Sequence, residues 1–74
     1  MATSAKSELK RSLSIQGHRT SLSLEPEFWA ALKQAASAEQ KSLAALVAEI
    51  DATRETRNLS SAVRVWVLAR AKRS

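Results

Sequence analysis

The segment between Arg19 and Trp29 constrains the fold more than any other part of the chain. Its first half alternates polar and apolar residues, which is typical of a strand with one buried face. Its second half places Pro26 at the start of a run with helical spacing, and a residue with fixed φ and no N–H suits the first helical turn. A lone strand that leads into helices leaves its backbone edges unpaired. We therefore expect a second copy of this 74-residue chain to complete the strand.

The size and composition of the chain also favour association. A domain this small buries only about 60% of the surface that its unfolded chain exposes, so it is marginally stable alone. The sequence has no cysteine and a single histidine, His18, which excludes a disulfide framework and a thiolate or two-histidine metal site. It also lacks a set of converging catalytic groups. We expect no cofactor, no metal and no enzymatic activity, and oligomerisation as the source of stability.

Charge is distributed unevenly along the chain. The net charge is +5, with +3 in residues 1–24, −3 in residues 25–53 and +5 in residues 54–74. Basic ends around an acidic middle predict a surface that faces a polyanion, although they would also serve solubility alone. The sequence shows no signal peptide and no apolar run that could cross a bilayer. We expect a cytoplasmic protein that does not contact a membrane.

The sequence predicts a disordered basic arm at 1–10 and a single domain at 11–72. Within residues 11–24, two alternating runs change parity at Gly17. Either Gly17 forms a bulge in one strand, or a two-residue type II′ turn that begins at Gly17 folds the segment into a hairpin. The hairpin would place Ile15 opposite Thr20, and the periodicity slightly favours it.

Three helices are predicted after the strand. The first runs from about Pro26 to about Ala38, and the second begins after Ser42, a good N-cap. The third begins near Ser60, with Asn58 and Ser60 both suited to cap it. Its residues leave little polar face, so we expect this helix to be buried on most sides.

Three blocks of the sequence carry a resemblance to a known family: residues 17–29 (GHRTSLSLEPEFW), 42–51 (SLAALVAEID) and 58–65 (NLSSAVRV). Together they resemble the ribbon-helix-helix DNA-binding family, and more closely a short bacterial subfamily of mostly unknown role. The resemblance covers about residues 13–70. It implies a mainly α fold with one short β-ribbon, namely a ribbon-helix-helix domain with an additional C-terminal helix and a strand completed by dimerisation.

The resemblance also implies which residues bind DNA. In this family two chains pair their strands antiparallel, and alternate strand side chains enter the major groove. Carried over to this sequence, the base-facing residues are Arg19, Ser21 and Ser23. The second helix of the family offers its N-terminal amides to phosphate, and here either the helix after Ser42 or the one near Ser60 fits that description. The predicted phosphate contacts are His18, Ser42, Ser60 and Arg64.

A dimer core is implied by the apolar positions of the same blocks. The residues assigned to it are Leu22, Leu24, Phe28, Leu46, Ile50 and Trp66. Two features depart from the usual ribbon: serine discriminates bases less well than Arg, Asn or Gln, and an extra strand before the main one would crowd the groove. A two-stranded ribbon fits the major groove, whereas a four-stranded sheet made from two hairpins would fit poorly.

Two functions follow from these observations. The first is a homodimeric transcriptional regulator that binds double-stranded DNA, with a dimer of dimers on DNA as a larger assembly. The second is a protein-interaction module, antitoxin-like, that binds a protein partner through the apolar C-terminal helix. Burial of Val63 and Trp66 would count against the second function, because it would leave little apolar surface for a partner.

Overall fold

A two-stranded antiparallel sheet followed by three helices makes up the computed structural model, which describes residues 9–73. The elements are β1 (Leu9–Ile15), β2 (His18–Leu24), α1 (Pro26–Ala38), α2 (Leu43–Thr53) and α3 (Leu59–Arg73). The predicted mainly α fold, with one short ribbon and an additional C-terminal helix, is confirmed.

The ribbon is a hairpin formed within one chain. Ile15 pairs with His18, so the predicted pairing of Ile15 with Thr20 is wrong by two residues. The turn residues are Gln16 and Gly17, with φ of 53° and 84°, as a type I′ turn requires. Positive φ at both central residues distinguishes it from the expected type II′ turn, in which only the first central residue has positive φ. A shift of two residues leaves every side chain on its expected face, since strand side chains alternate with period two.

β1 begins earlier than the predicted domain boundary. Leu9 and Lys10, which the sequence analysis assigned to a disordered arm, belong to β1. The indole Nε1 of Trp29 donates a hydrogen bond to the carbonyl oxygen of Leu9 at 2.9 Å. This bond and the pairing with β2 hold the start of the strand, which explains why the boundary placed after residue 10 was too late. The remainder of the predicted arm, residues 1–8, lies outside the described residues.

All three helices begin where the capping signals indicated. Glu25 precedes α1 in an extended conformation, and Pro26 occupies its first turn. The hydroxyl oxygen of Ser42 accepts the backbone N–H of Ala45 at 3.0 Å. Of the two candidate caps of α3, Asn58 and Ser60, the structure shows Asn58 as the cap. Its side-chain oxygen accepts the N–H of Ser61 at 2.8 Å.

The core forms inside a single chain. The apolar face of the hairpin packs against the helices, with β1 on α2 and β2 on α1 and α3. The buried residues are Ile15, Leu22, Leu24, Trp29, Leu32, Ala35, Ala36, Leu46, Val47, Ile50, Ala62 and Val63. The free energy gained from the hydrophobic effect is roughly proportional to the apolar area removed from water, and it is the dominant favourable contribution to folding. This cluster is therefore the main source of stability.

α3 is less buried than predicted. Only Ala62 and Val63 are fully enclosed, whereas Val65 is 43% exposed and Leu68 is 57% exposed. The expectation that this helix is buried on most sides is wrong. The reason is geometric, because the neighbours of α3 are α1, α2 and β2, and these cover one side of it.

Candidate nucleic-acid interface

One face of the hairpin is polar and open to solvent. Side chains alternate across a strand and paired residues share a face, so the register brings six polar side chains together, here called the ribbon face. Its cross-strand pairs are Lys10 with Ser23, Ser12 with Ser21, and Ser14 with Arg19. Ser23 is half-buried and the others are exposed. The three predicted base-facing residues therefore share one face with three residues of β1.

The ribbon face is electropositive. Residues 9–24 contain no Asp or Glu. Lys10 and Arg19 take part in none of the ion pairs formed among residues 9–73. The third basic residue of the hairpin, Arg11, is on the opposite face, where its guanidinium lies 5.3 Å from the centroid of the Trp29 ring. On the ribbon face, the positive charge is thus held by Lys10 and Arg19.

The outer edge of β2 presents backbone groups away from β1. The turn hydrogen bond joins the C=O of Ile15 to the N–H of His18, and hydrogen-bonded pairs alternate with non-bonded pairs in an antiparallel ladder. The N–H and C=O of Arg19 and Ser21 therefore point outward. Ser23 has the same orientation, and its carbonyl oxygen accepts the hydroxyl of Ser60 at 3.0 Å. That bond places the start of α3 beside the end of the ribbon.

The four predicted phosphate contacts occupy different environments. His18 is exposed at the start of β2, and Ser42 caps α2. Ser60 is bound to the ribbon, as described above. The guanidinium of Arg64 lies 5.9 Å from the centroid of the Phe28 ring. The four residues do not form one cluster through their side-chain hydrogen bonds.

Arg64 is committed to an ion pair at the junction of β2 and α1. Its Nε donates to Oε1 of Glu25 at 2.9 Å and its Nη2 donates to Oε2 at 3.3 Å. The hydrogen bond from Arg64 lowers the pKa of Glu25 below its usual value of 4.5. Arg64 was predicted to contact phosphate, and its positive charge is balanced in part by the carboxylate of Glu25.

This ion pair predicts a pH effect on stability. Because the folded pKa of Glu25 is lowered, its stabilisation is complete above about pH 4.5 and is lost as the pH falls through the folded value. Glu25 makes no side-chain cap hydrogen bond, so Glu25→Gln removes the carboxylate charge without removing a helix cap. We expect the variant to melt at a slightly lower temperature than the wild type at neutral pH and at the same temperature in strong acid. An equal difference at both pH values, measured by circular dichroism, would contradict this prediction.

The predicted dimer-core residues belong to the core of one chain. Leu22, Leu24, Leu46 and Ile50 are buried, and Phe28 and Trp66 are half-buried against them. Their apolar pattern is thus accounted for without a second copy. A role for them at a dimer interface stays a prediction.

A groove of about 410 Å³ separates α1 from α3. Trp66 and Val67 line it from α3, and Gln34 and Ala38 line it from α1. The guanidinium of Arg70 lies 5.7 Å from the centroid of the Trp66 ring. Trp66 is therefore a partly exposed wall of the groove rather than a fully enclosed core residue.

Lys10, Ser12 and Ser14 also belong to the ribbon face, although they are absent from the predicted site. A signal for them was present, because polar residues occupy every even position between Lys10 and Ser14 and alternate with Leu13 and Ile15. Two expectations run against this signal. Lys10 is assigned to the arm, and the first strand is expected to crowd the DNA groove. Pairing with β2 is what places the three residues on the exposed face.

The fold and the ribbon face together define a class of protein, since an antiparallel β-ribbon with a basic polar face is a known means of reading DNA. The family model described as the ribbon-helix-helix domain matches residues 8–71, and the chain belongs to this family. The ribbon-helix-helix domain is a non-enzymatic, DNA-binding fold of the transcription-regulator type. No curated protein and no solved structure matches the chain. Among residues 9–73, no helix has the length and hydropathy to cross a membrane.

Proposed function

We propose that this protein is a homodimeric transcriptional regulator that inserts a two-stranded β-ribbon into the major groove of double-stranded DNA. The observation that carries the proposal is the ribbon face. It presents Arg19, Ser21 and Ser23 together, exposed or half-buried, in a hairpin that has no acidic residue. Membership of a DNA-binding family supports the choice of ligand.

The dimensions of a two-stranded antiparallel ribbon suit the major groove. Its strands lie about 4.8 Å apart, and the groove is about 12 Å wide and about 8.5 Å deep. Arg19 has the reach and the paired N–H donors to bind the O6 and N7 atoms of guanine, whereas the shorter Ser21 and Ser23 can donate to or accept from several base edges. The expected sequence preference therefore depends mainly on Arg19.

The start of α3 is the better placed of the two predicted phosphate sites. The hydrogen bond from Ser60 to Ser23 joins it to the ribbon, and the first amides of a helix favour an anion. Phosphate contact of this kind would fix the register of the protein on DNA without reading sequence.

Two surfaces support association of two copies. One is the outer edge of β2, where the backbone groups of Arg19 and Ser21 point away from β1. The other is the apolar part of α3 formed by Val65 and Leu68, which are 43% and 57% exposed. A small domain gains stability when such surfaces are covered. We expect sedimentation to show a dimer.

DNA binding by the ribbon predicts steep salt dependence and sensitivity to Arg19→Ala. Each phosphate neutralised by Lys or Arg contributes about 0.9 to the slope of log affinity against log salt. We expect Arg19→Ala to cost about 1–3 kcal/mol and to relax sequence preference if Arg19 contacts a base. If it contacts phosphate, all sequences should weaken alike and the slope should fall. Gel-shift titrations with random duplexes at two salt concentrations measure both quantities.

Lys33→Ala is the matched control for Arg19→Ala. Lys33 is exposed on α1, so its replacement removes the same charge from outside the ribbon. We expect it to change the affinity much less than Arg19→Ala does. If the wild type and Arg19→Ala bind DNA alike, the ribbon is not the reading surface.

Exposed apolar residues on α3 favour a second candidate function. Val63 is buried and Trp66 half-buried, yet Val65 and Leu68 still offer an apolar surface. An antitoxin-like interaction module would bind a partner protein there. This function becomes the better one if Arg19→Ala leaves DNA binding unchanged.

A further inference from the structure

We infer that the groove between α1 and α3 is a binding site for a small planar aromatic carboxylate. This site is separate from the proposed DNA-binding surface, because its walls come from α1 and α3 and the ribbon face belongs to the hairpin. The shape of the groove, the chemistry of its walls and the charge at one of its ends favour this class of ligand.

Alanines on α1 create the space of the groove. Ala31, Ala35 and Ala38 line it, and their spacing of four and then three residues places them on one helix face. Their methyl groups leave open the space up to Trp66 and Val67 on α3. The volume of about 410 Å³ lies within the range of small-molecule sites, about 300–1,000 Å³. Packed helices lie about 8–10 Å apart, so the space between them is narrow and suits a planar ring.

Trp66 is the residue that favours an aromatic ligand. Its side chain is half-buried, and it is the one aromatic residue among those that line the groove. Aromatic rings attract each other in stacked or edge-to-face arrangements beyond the effect of area burial. The guanidinium of Arg70 lies 5.7 Å from the centroid of the Trp66 ring and also lines the groove. A ring that packs against Trp66 therefore comes close to a planar cation.

Basic side chains at the C-terminal end of α3 favour a carboxylate on that ring. A second hollow of about 500 Å³ shares Trp66 and Arg70 with the groove, and Arg73 also lines it. Arg70 and Arg73 are three residues apart, so they are neighbours on the surface of the helix. Guanidinium groups bind carboxylates through paired N–H donors. The two arginines thus form the polar end of the site.

Two acidic residues of the second hollow, Glu39 and Glu49, already have a cationic partner. The Nζ atom of Lys41 lies 3.1 Å from Oε1 of Glu39 and 2.5 Å from Oε2 of Glu49. The hydrogen bond from Lys41 is the main reason that the pKa of Glu39 lies below its usual value of 4.5. Arg70 also donates to Oε2 of Glu39 at 2.7 Å, so Glu39 keeps one cation when Arg70 shares its donors with a ligand. With Arg73, the cluster has three cations and two carboxylates, and its net charge of +1 favours an anion.

The indole signals in the NMR spectrum of the full chain test this inference. The sequence has two tryptophans, of which Trp66 lines the groove and Trp29 is buried in the core. We expect naphthoate to shift the Nε1–H signal of Trp66 saturably and to leave that of Trp29 in place. Naphthamide, which has the same ring without the charge, should bind about tenfold more weakly, because charge-assisted hydrogen bonds are roughly twice as strong as neutral ones. Octanoate, which has the charge without the ring, should also bind more weakly.

Ala38→Leu fills the groove, and Ala30→Leu is its matched control. Ala38 is an exposed part of the groove wall, so leucine can enter the space without disturbing the buried core. Ala30 is exposed on the same helix and is not part of that wall. Leucine and alanine both favour helix. After circular dichroism shows that both variants are folded, we expect Ala38→Leu to lose the naphthoate-dependent shift and Ala30→Leu to bind as the wild type does.

Arg73→Ala tests the polar end of the site. We expect it to weaken naphthoate binding several-fold and to leave the weaker naphthamide binding unchanged. Arg57→Ala is the control, because Arg57 is exposed in the loop between α2 and α3 and its replacement removes the same charge from outside the site. Equal effects of the two variants would overturn the assignment of the carboxylate to this end.

The other outcomes are equally decisive. The inference is overturned if naphthoate causes no saturable shift of the Trp66 signal, or if Ala38→Leu binds it as the wild type does. Equal affinities for naphthoate, naphthamide and octanoate would overturn the ligand class. If naphthoate binds only at dilutions at which sedimentation shows monomer, a second copy covers the groove and the inference is also overturned. DNA is absent from these measurements, so their result is independent of the proposed function.

Discussion

Trp29→Ala is expected to lower the free energy of unfolding by about 3–5 kcal/mol, the usual cost of truncating a buried large aromatic residue. Trp29 is only 2% exposed, and its indole donates a hydrogen bond to the carbonyl of Leu9. Alanine would leave a cavity in the core and would release the start of β1. The loss is comparable with the whole stability of a weak domain, since small proteins are stable by about 5–15 kcal/mol.

Two variants calibrate this result by urea or thermal unfolding. Trp29→Phe keeps most of the packing and removes the hydrogen bond to Leu9, so it should cost much less than Trp29→Ala. Trp66→Ala should also cost less, because Trp66 is half-buried and lines the groove between α1 and α3. Equal losses for Trp29→Ala and Trp66→Ala would show that the core is not arranged as described.

Leu22→Asp is expected to abolish folding. Leu22 is 1% exposed, and an aspartate in its place would bury a carboxylate among apolar side chains with no partner. The family resemblance assigned Leu22 to a dimer core. Because Leu22 packs in the core of one chain, we expect the loss of helical circular dichroism at every protein concentration, including those at which only monomer is present.

Leu68→Asp is the matched control for Leu22→Asp. The same chemical change is made at a residue that is 57% exposed, so the variant should keep its helical circular dichroism. Sedimentation of Leu68→Asp also shows whether α3 takes part in the proposed dimer. A folded Leu22→Asp variant would mean that the apolar face of the hairpin does not form the core.

The helices were predictable because their signals act locally. Pro26 suits a first helical turn, and Ser42 and Asn58 accept N–H groups that the helix cannot satisfy itself. Each signal operates within a few residues, so the structure reproduces it. The extent of burial of α3 was not predictable in this way, since it depends on which elements lie beside the helix.

The candidate site was predictable in part. Alternation with period two places Arg19, Ser21 and Ser23 on one face whatever strand lies beside them. Whether Lys10, Ser12 and Ser14 lie beside them depends on the register of strand pairing. A turn that begins at Gly17, a turn that begins at Gln16, and pairing with a second copy would each give a different register. The type I′ turn at Gln16 and Gly17 selects one register.

The sequence by itself determined the family, the order of strand and helices, and the faces of the strands. Only the tertiary structure decided that β2 takes its partner from the same chain, that the ribbon face has six residues, and that Val65 and Leu68 stay exposed. The physical reason is that periodicity and capping depend on neighbours in sequence. Strand pairing and burial depend instead on groups distant along the chain, such as Trp29 with Leu9 and Ser60 with Ser23.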